Sequence, residues 1–133
     1  MNTSTLKNVL LVEDESDIRL LVTMTLSRLG GLDVHAEPSG KSAISYLAEG
    51  NHPDLIVLDV MMPEMDGVQT FEAIRAMPGY EDTPVCFLTA KVHPEEIKRW
   101  HELGINDVLS KPFSPALLPS QIQACWSKWQ QAH

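Results

Sequence analysis

Leu55-Ile56-Val57-Leu58-Asp59-Val60-Met61-Met62-Pro63-Glu64-Met65-Asp66-Gly67 is the stretch on which the fold turns. Leu55 to Leu58 are apolar without alternation, the pattern of a strand buried on both faces of a parallel sheet. The run ends in Asp59, and an ionised carboxylate at the edge of a core needs a partner. Pro63 and then Asp66-Gly67 are turn and helix-start signals, with Asp66 placed to cap a third helix that carries Val68, Phe71 and Ile74. Asp59 is therefore expected at the carboxyl end of a central strand, before a loop that leads into a helix. Open α/β sheets bind their ligands there.

Outward from this stretch, apolar runs and amphipathic segments alternate. Asn8 to Val12 reads as a first strand ending in Glu13-Asp14-Glu15, and Ser16 to Leu29 as a helix stopped by Gly30-Gly31. Leu32 to Ala36 is a second strand. Ser39 to Glu49 is a second helix, with Ala43, Ile44, Leu47 and Ala48 inward. Pro84 to Leu88 is a fourth strand ending in Thr89-Ala90-Lys91. A helix from Pro94 follows, with Glu95 and Glu96 in its first turn, Ile97 and Trp100 inward and Gly104 at its end. Asp107 to Leu109 is a weak fifth strand before Ser110-Lys111-Pro112-Phe113. Pro119 interrupts the start of the last helix, so that helix either begins irregularly or begins late; Ile122, Cys125, Trp126 and Trp129 form its inner face.

Five strand–helix alternations predict an α/β fold: a doubly wound, five-stranded parallel sheet of flavodoxin-like order 2-1-3-4-5, a (βα)5 chain. The 133 residues suit one domain, with its core over about residues 8–130. With 44% hydrophobic residues a substantial core is available, and a formal charge of −8 argues against generic binding to a nucleic-acid backbone. The N-terminal residues lack the apolar core of a signal peptide, and no apolar run approaches a membrane span. A soluble cytoplasmic protein is expected. Cys86 lies inside an apolar run and reads as a buried thiol in a reducing compartment. The five histidines, His35, His52, His93, His101 and His133, show no ligand-like spacing.

In the expected order the strand ends gather on one sheet edge: Glu13 and Asp14 from the first, Asp59 from the third, Thr89 from the fourth, Lys111 just past the fifth. Taken singly these are ordinary residues: a charged helix start, a strand-end hydroxyl, a solvated lysine. Together they are a site. Three adjacent carboxylates repel, and a divalent cation relieves the repulsion. All-oxygen ligands without His or Cys suit Mg²⁺. A carboxylate beside Mg²⁺ and a lysine can attack a phosphoryl group and become an acyl phosphate. Thr89 can donate a hydrogen bond to that group, and Lys111-Pro112 is a place where a cis bond would aim the lysine inward.

Glu13-Asp14, Asp59 with Pro63 and Gly67, Thr89-Ala90 and Lys111-Pro112-Phe113 resemble the receiver domain of two-component response regulators, of the single-domain, chemotaxis-regulator type. The resemblance runs from Val9 to the last helix. It implies phosphotransfer to Asp59 from a sensor histidine kinase or a His-containing phosphotransfer protein. Glu13, Asp14, Asp59 and the backbone carbonyl of Met61 would bind Mg²⁺. It implies a signalling switch rather than an enzyme with a substrate pool; slow self-dephosphorylation is expected separately, from Met61, which excludes water, and Lys91, which can pair with the phosphoryl group. A downstream protein would bind the face of the fourth helix, fifth strand and fifth helix, and phosphorylation-dependent homodimerisation would use similar surfaces. Neither nucleic acid nor membrane is a direct partner in this reading.

Two positions depart from the family pattern. Val108 stands where an aromatic usually swings inward with the threonine, which directs the signal toward the loop after the fourth strand. Met61 and Lys91 flank the phosphoryl position, where a Met excludes water. Other readings are a phosphatase, a flavin module and a degenerate receiver used only for protein contact. Met61 occupies the place where a phosphatase needs a second acid. Glu13-Asp14-Glu15 would repel a flavin phosphate. The complete acid and lysine set speaks against the degenerate receiver, for which Val108 speaks.

Overall fold

The computed structural model describes residues 5–90 and 93–132. Five parallel strands form one sheet: β1 (Asn8–Val12), β2 (Asp33–Glu37), β3 (Leu55–Asp59), β4 (Val85–Thr89) and β5 (Asp107–Ser110), in the order β2-β1-β3-β4-β5. This is the expected flavodoxin-like arrangement. All five residues of β3 and of β4 are buried, as their unbroken apolar runs predict for central strands covered on both faces.

Five helices cover the faces: α1 (Ser16–Met24), α2 (Gly40–Ala48), α3 (Gly67–Arg75), α4 (Pro94–Leu103) and α5 (Leu118–Ala132). Alternate strand residues enter two separate cores. Leu55, Val57, Cys86 and Leu88 pack with Val22, Leu26, Ile122, Cys125 and Trp126, so α1 and α5 share one layer. Ile56, Leu58, Val85 and Phe87 pack with Ala43, Leu47, Phe71, Ile74 and Trp100, so α2, α3 and α4 share the other. Among the described residues no helix is long and apolar enough to cross a membrane.

The helix boundaries follow from side-chain chemistry. Ser39 caps α2 by accepting the Ser42 N–H. Asp66 caps α3 in a reciprocal pair with Gln69: each side chain accepts the other's backbone N–H. Gly104 ends α4 with φ +110°, a conformation glycine takes without cost.

Several expectations need correction. The first helix does not run uniformly to Leu29; Thr25–Leu29 is a π-helical turn, which shifts the register so that Thr25 and Leu26 both reach the core. The second strand is shifted by one residue, to Asp33–Glu37. Ala48 faces solvent, because the inward stripe of α2 is Ala43 and Leu47, with Ile44 half-buried beside them. The last helix does begin late, one of the two expected alternatives: it starts at Leu118, so Pro119 falls in its first turn, where its missing N–H costs nothing. Cys86 is buried as expected, and its sulfur faces that of Cys125, a neighbour the spacing did not indicate. Both residues point into the same layer, one from β4 and one from the inner face of α5.

Gly67 fixes the path from β3 into α3. Its N–H donates to the Val60 carbonyl at 2.9 Å. A Cβ there would lie 2.6 Å from the Asp59 carbonyl oxygen and 2.7 Å from the Val60 Cα. Gly67→Ala is expected to destabilise the fold by about 1–3 kcal/mol, because backbone must move to admit the methyl group. Urea unfolding measures this, and a midpoint equal to that of the unsubstituted protein would contradict it.

Candidate functional site

The carboxyl ends of β1, β3, β4 and β5 converge as expected. Asp59 is the last residue of β3, paired in register with Leu88, and its side chain is almost wholly buried. Glu13, directly after β1, is fully buried. Lys111, two residues past Leu109, reaches both: its Nζ donates to Glu13 Oε1 at 2.8 Å and to Asp59 Oδ1 at 3.2 Å. The Lys111–Pro112 peptide is cis. The Lys111 N–H donates to the Thr89 carbonyl at 2.8 Å, which ties the loop after β5 to the end of β4.

Asp14 completes an acidic group. One oxygen from each of Glu13, Asp14 and Asp59 lies within 4.8 Å of the others. Asp14 Oδ1 is buried and has no hydrogen-bond partner among the described residues. A buried carboxylate oxygen left unpaired is costly, and a bound cation would relieve that cost. The donor set is all oxygen, which suits a hard divalent ion. The three carboxylates therefore fit a metal such as Mg²⁺.

Electrostatics report the same crowding. Burial, with the Glu13 charge beside it, pushes the Asp59 carboxyl up to about 7, against the opposing pull of Lys111. Burial alone would lower the Lys111 ammonium. Its hydrogen bond to Glu13 and the charge of Asp59 outweigh that and raise it. The amine stays a cation.

The other expected site residues lie around this cluster. Thr89 is the buried last residue of β4, on the strand next to Asp59. The Met61 N–H donates to Asp59 Oδ1 at 3.4 Å, while its side chain is 70% exposed. Val108 is partly buried beside Phe87, its register partner on β4. Lys91 lies outside the described residues.

Sequence reading missed Arg19. Its guanidinium, one turn into α1, donates to the carbonyls of Glu13 at 2.9 Å and Asp14 at 3.3 Å. The loop that carries both acids is thereby pinned through its backbone, leaving the carboxylates free to face Asp59. The only signal available was a basic residue five positions after an acid pair, which is common on helix surfaces.

A model of the response regulator receiver domain matches residues 9–123. A chemotaxis protein CheY homolog of Campylobacter jejuni is 31% identical over 115 residues, covering 86% of this chain and 88% of that protein. The transcriptional regulatory protein PrrA of Mycobacterium tuberculosis is 40% identical over 116 residues, covering 87% of this chain and 48% of PrrA. The chain spans about half the length of such transcriptional regulators. Among solved structures, chemotaxis response regulator CheY4 of Vibrio cholerae superposes with a TM-score of 0.83 at 32% identity, covering 91% of this chain and 99% of that one.

The raised Asp59 pKa has a definite consequence for stability. In the unfolded chain this carboxyl titrates near pH ~4. The folded state holds the proton more tightly, so the stability it contributes is complete below pH ~4 and is lost as pH rises to about 7. Without divalent cation, Asp59→Asn is expected to melt above the unsubstituted protein at pH ~8, the difference shrinking toward pH ~5. Added Mg²⁺ should shrink it too, by stabilising only the chain that keeps the carboxylate. Thermal melts across this range provide the check, and an Asn variant less stable at alkaline pH would refute the assignment.

Proposed function

The chain belongs to the response regulator receiver domain family, and on that premise we propose that Asp59 is its phosphoacceptor. The observation that carries this reading is the Asp59 carboxylate, buried at the end of β3, bonded to Lys111 and grouped with Glu13 and Asp14. The donor is a phosphohistidine of a sensor histidine kinase or of a His-containing phosphotransfer protein. Asp59 Oδ attacks phosphorus in line, the P–N bond to the donor imidazole breaks, and its electron pair leaves with the imidazole nitrogen.

Glu13, Asp14 and Asp59, with the Met61 backbone carbonyl, would hold Mg²⁺, which supplies positive charge to the phosphoryl oxygens. The chain's own residues supply the rest. The Lys111 ammonium, already 3.2 Å from Asp59 Oδ1, moves its bond to a phosphoryl oxygen. The Thr89 hydroxyl donates to another. Arg19 keeps the loop after β1 in place throughout.

The result is a switch rather than turnover of a substrate pool. The new charge biases the loops after β3 and β4 and the α4–β5–α5 face, where a downstream protein or a second copy binds.

Incubation with acetyl phosphate and Mg²⁺ is expected to add the mass of one phosphoryl group to the chain. Asp59→Asn should gain nothing, and chelation of the metal should abolish the gain. An intact chain that stays unmodified, while a known receiver in the same tube is phosphorylated, would overturn the proposal.

Met61 sets how long the mark lasts, because a thioether at the rim of the site offers water no hydrogen bond. Met61→Asn is expected to shorten the acyl phosphate lifetime several-fold, timed by phosphate release. An unchanged lifetime would remove Met61 from this role.

A further inference from the structure

Three aromatic rings from three elements stand edge to face in a row inside the α2–α3–α4 layer. Phe87 of β4 is at the centre. Phe71 of α3 meets it with centroids 6.2 Å apart and planes at 81°. Trp100 of α4 meets it at 5.2 Å and 85°. Both contacts have the T-shaped geometry that aromatic quadrupoles favour, and such contacts depend on ring orientation.

Neither end of the row is incidental. α3 begins at Gly67, straight after the loop from Asp59. Trp100 is the one buried side chain among the described residues of α4, with Ile97 partly buried one turn earlier. Glu95, Lys98, Arg99 and Glu102 of this helix carry charge and include nothing that enters the core. The hold of α4 on the sheet therefore rests largely on one indole. On the far side of Phe87, its register partner Val108 brings no ring, so Trp100 has no aromatic rival from β5.

We propose that Trp100 carries the state of the Asp59 site to α4, through its edge-on seat against Phe87. This rests on the reading of Asp59 as phosphoacceptor. Phe87 and Thr89 are two residues apart on β4 and so point to the same side of the strand. A shift of the β4 end toward a new group on Asp59 turns the Phe87 ring with it. A packed T-shaped contact does not deform smoothly; it keeps its seat or takes another, and the helix that hangs on it moves as one body. Phe71 gives the row a second input, from the loop after Asp59 through α3.

Hydrogen exchange of the full chain, with and without Mg²⁺ and beryllofluoride as phosphoryl mimic, tests this. In the unsubstituted protein the α4 amides should change protection several-fold on addition of the mimic. In Trp100→Leu they should exchange up to about tenfold faster from the outset and respond less than about twofold, because the ring contact is gone. Trp100→Phe, which keeps an edge for Phe87, should recover most of the response. An α4 response in Trp100→Leu equal to that of the unsubstituted chain would overturn the inference. Amides of the loop after Asp59 separate the two claims: if they respond in every variant, the phosphorylation site works whatever α4 does. If they respond in none, the Asp59 reading fails and this inference falls with it. A second measurement does not depend on how the Leu variant folds. With 5-fluorotryptophan incorporated, the Trp100 ¹⁹F resonance, assigned by its loss in Trp100→Phe, should shift when the mimic binds. A resonance that does not move would equally overturn the role.

Discussion

One amine is asked to serve two buried carboxylates, and much of the molecule follows from that. Lys111 Nζ bridges Glu13 and Asp59, and Asp14 stands beside them with an unpaired buried oxygen. With all three acids ionised, negative charge exceeds positive. Such a cluster does not stabilise a fold, because taking ions out of water costs several kcal/mol each and pairing returns only part of it. The fold must therefore be stable for other reasons and carry the cluster as a load. It is: β3 and β4 are buried from end to end, and each large side chain removed from water contributes about 1.5–3 kcal/mol. The charge imbalance also makes the site responsive, since anything that brings positive charge, or gives the lysine a better acceptor, changes the energy of the whole edge.

Position matters as much as charge, and backbone contacts supply it. Asp59 cannot move far because it is still part of β3, and the next N–H, that of Val60, donates to the Leu88 carbonyl. Arg19 holds the loop of Glu13 and Asp14 by two carbonyls. Gly67 lets α3 start against the Asp59–Val60 backbone, closer than any side chain would allow. The Thr89 carbonyl takes the Lys111 N–H. The side chains that meet at the edge thus have anchored backbones, and the adaptable parts are the lysine's methylene stem and the loops beyond.

The legible parts of the sequence were those where one local rule decided the outcome. Unbroken apolar runs gave β3 and β4, and the acid closing the first of them marked Asp59. Asp66 and Gly104 gave helix boundaries, because capping needs only neighbours. Strand order followed from alternation and handedness, and order brought Glu13, Asp14, Asp59, Thr89 and Lys111 to one edge. What could not be read depended on contacts between distant residues or on balances too fine for pattern. The π-helical turn at Thr25–Leu29 puts both Thr25 and Leu26 inward, a choice made by the α5 layer rather than by local propensity. Cys86 and Cys125 meet although they lie 39 residues apart with a spacing that carries no signal; only the parity of β4 and the inner face of α5 bring them together. Arg19 acts on backbone carbonyls, which leave no trace in side-chain patterns.

The two layers differ in how they grip the sheet, and the difference suits a switch. On one side, α5 buries Leu118, Ile122, Cys125 and Trp126 along its length, while α1 buries Val22 and runs on into a turn that buries Thr25 and Leu26. Moving either helix would open a core. On the other side, α4 sets one buried indole against the sheet, with Ile97 half-buried one turn earlier and its charged residues outward. Elements that move are drawn from the least stabilised parts of a structure, and among the described residues α4 buries one side chain, fewer than α2, α3 or α5. On the reading of Asp59 as phosphoacceptor, a charge added there would meet β4, whose far face packs on α5 and whose near face carries the ring under α4. Strain arriving there would be relieved most cheaply toward α4, away from the firmer α1–α5 layer.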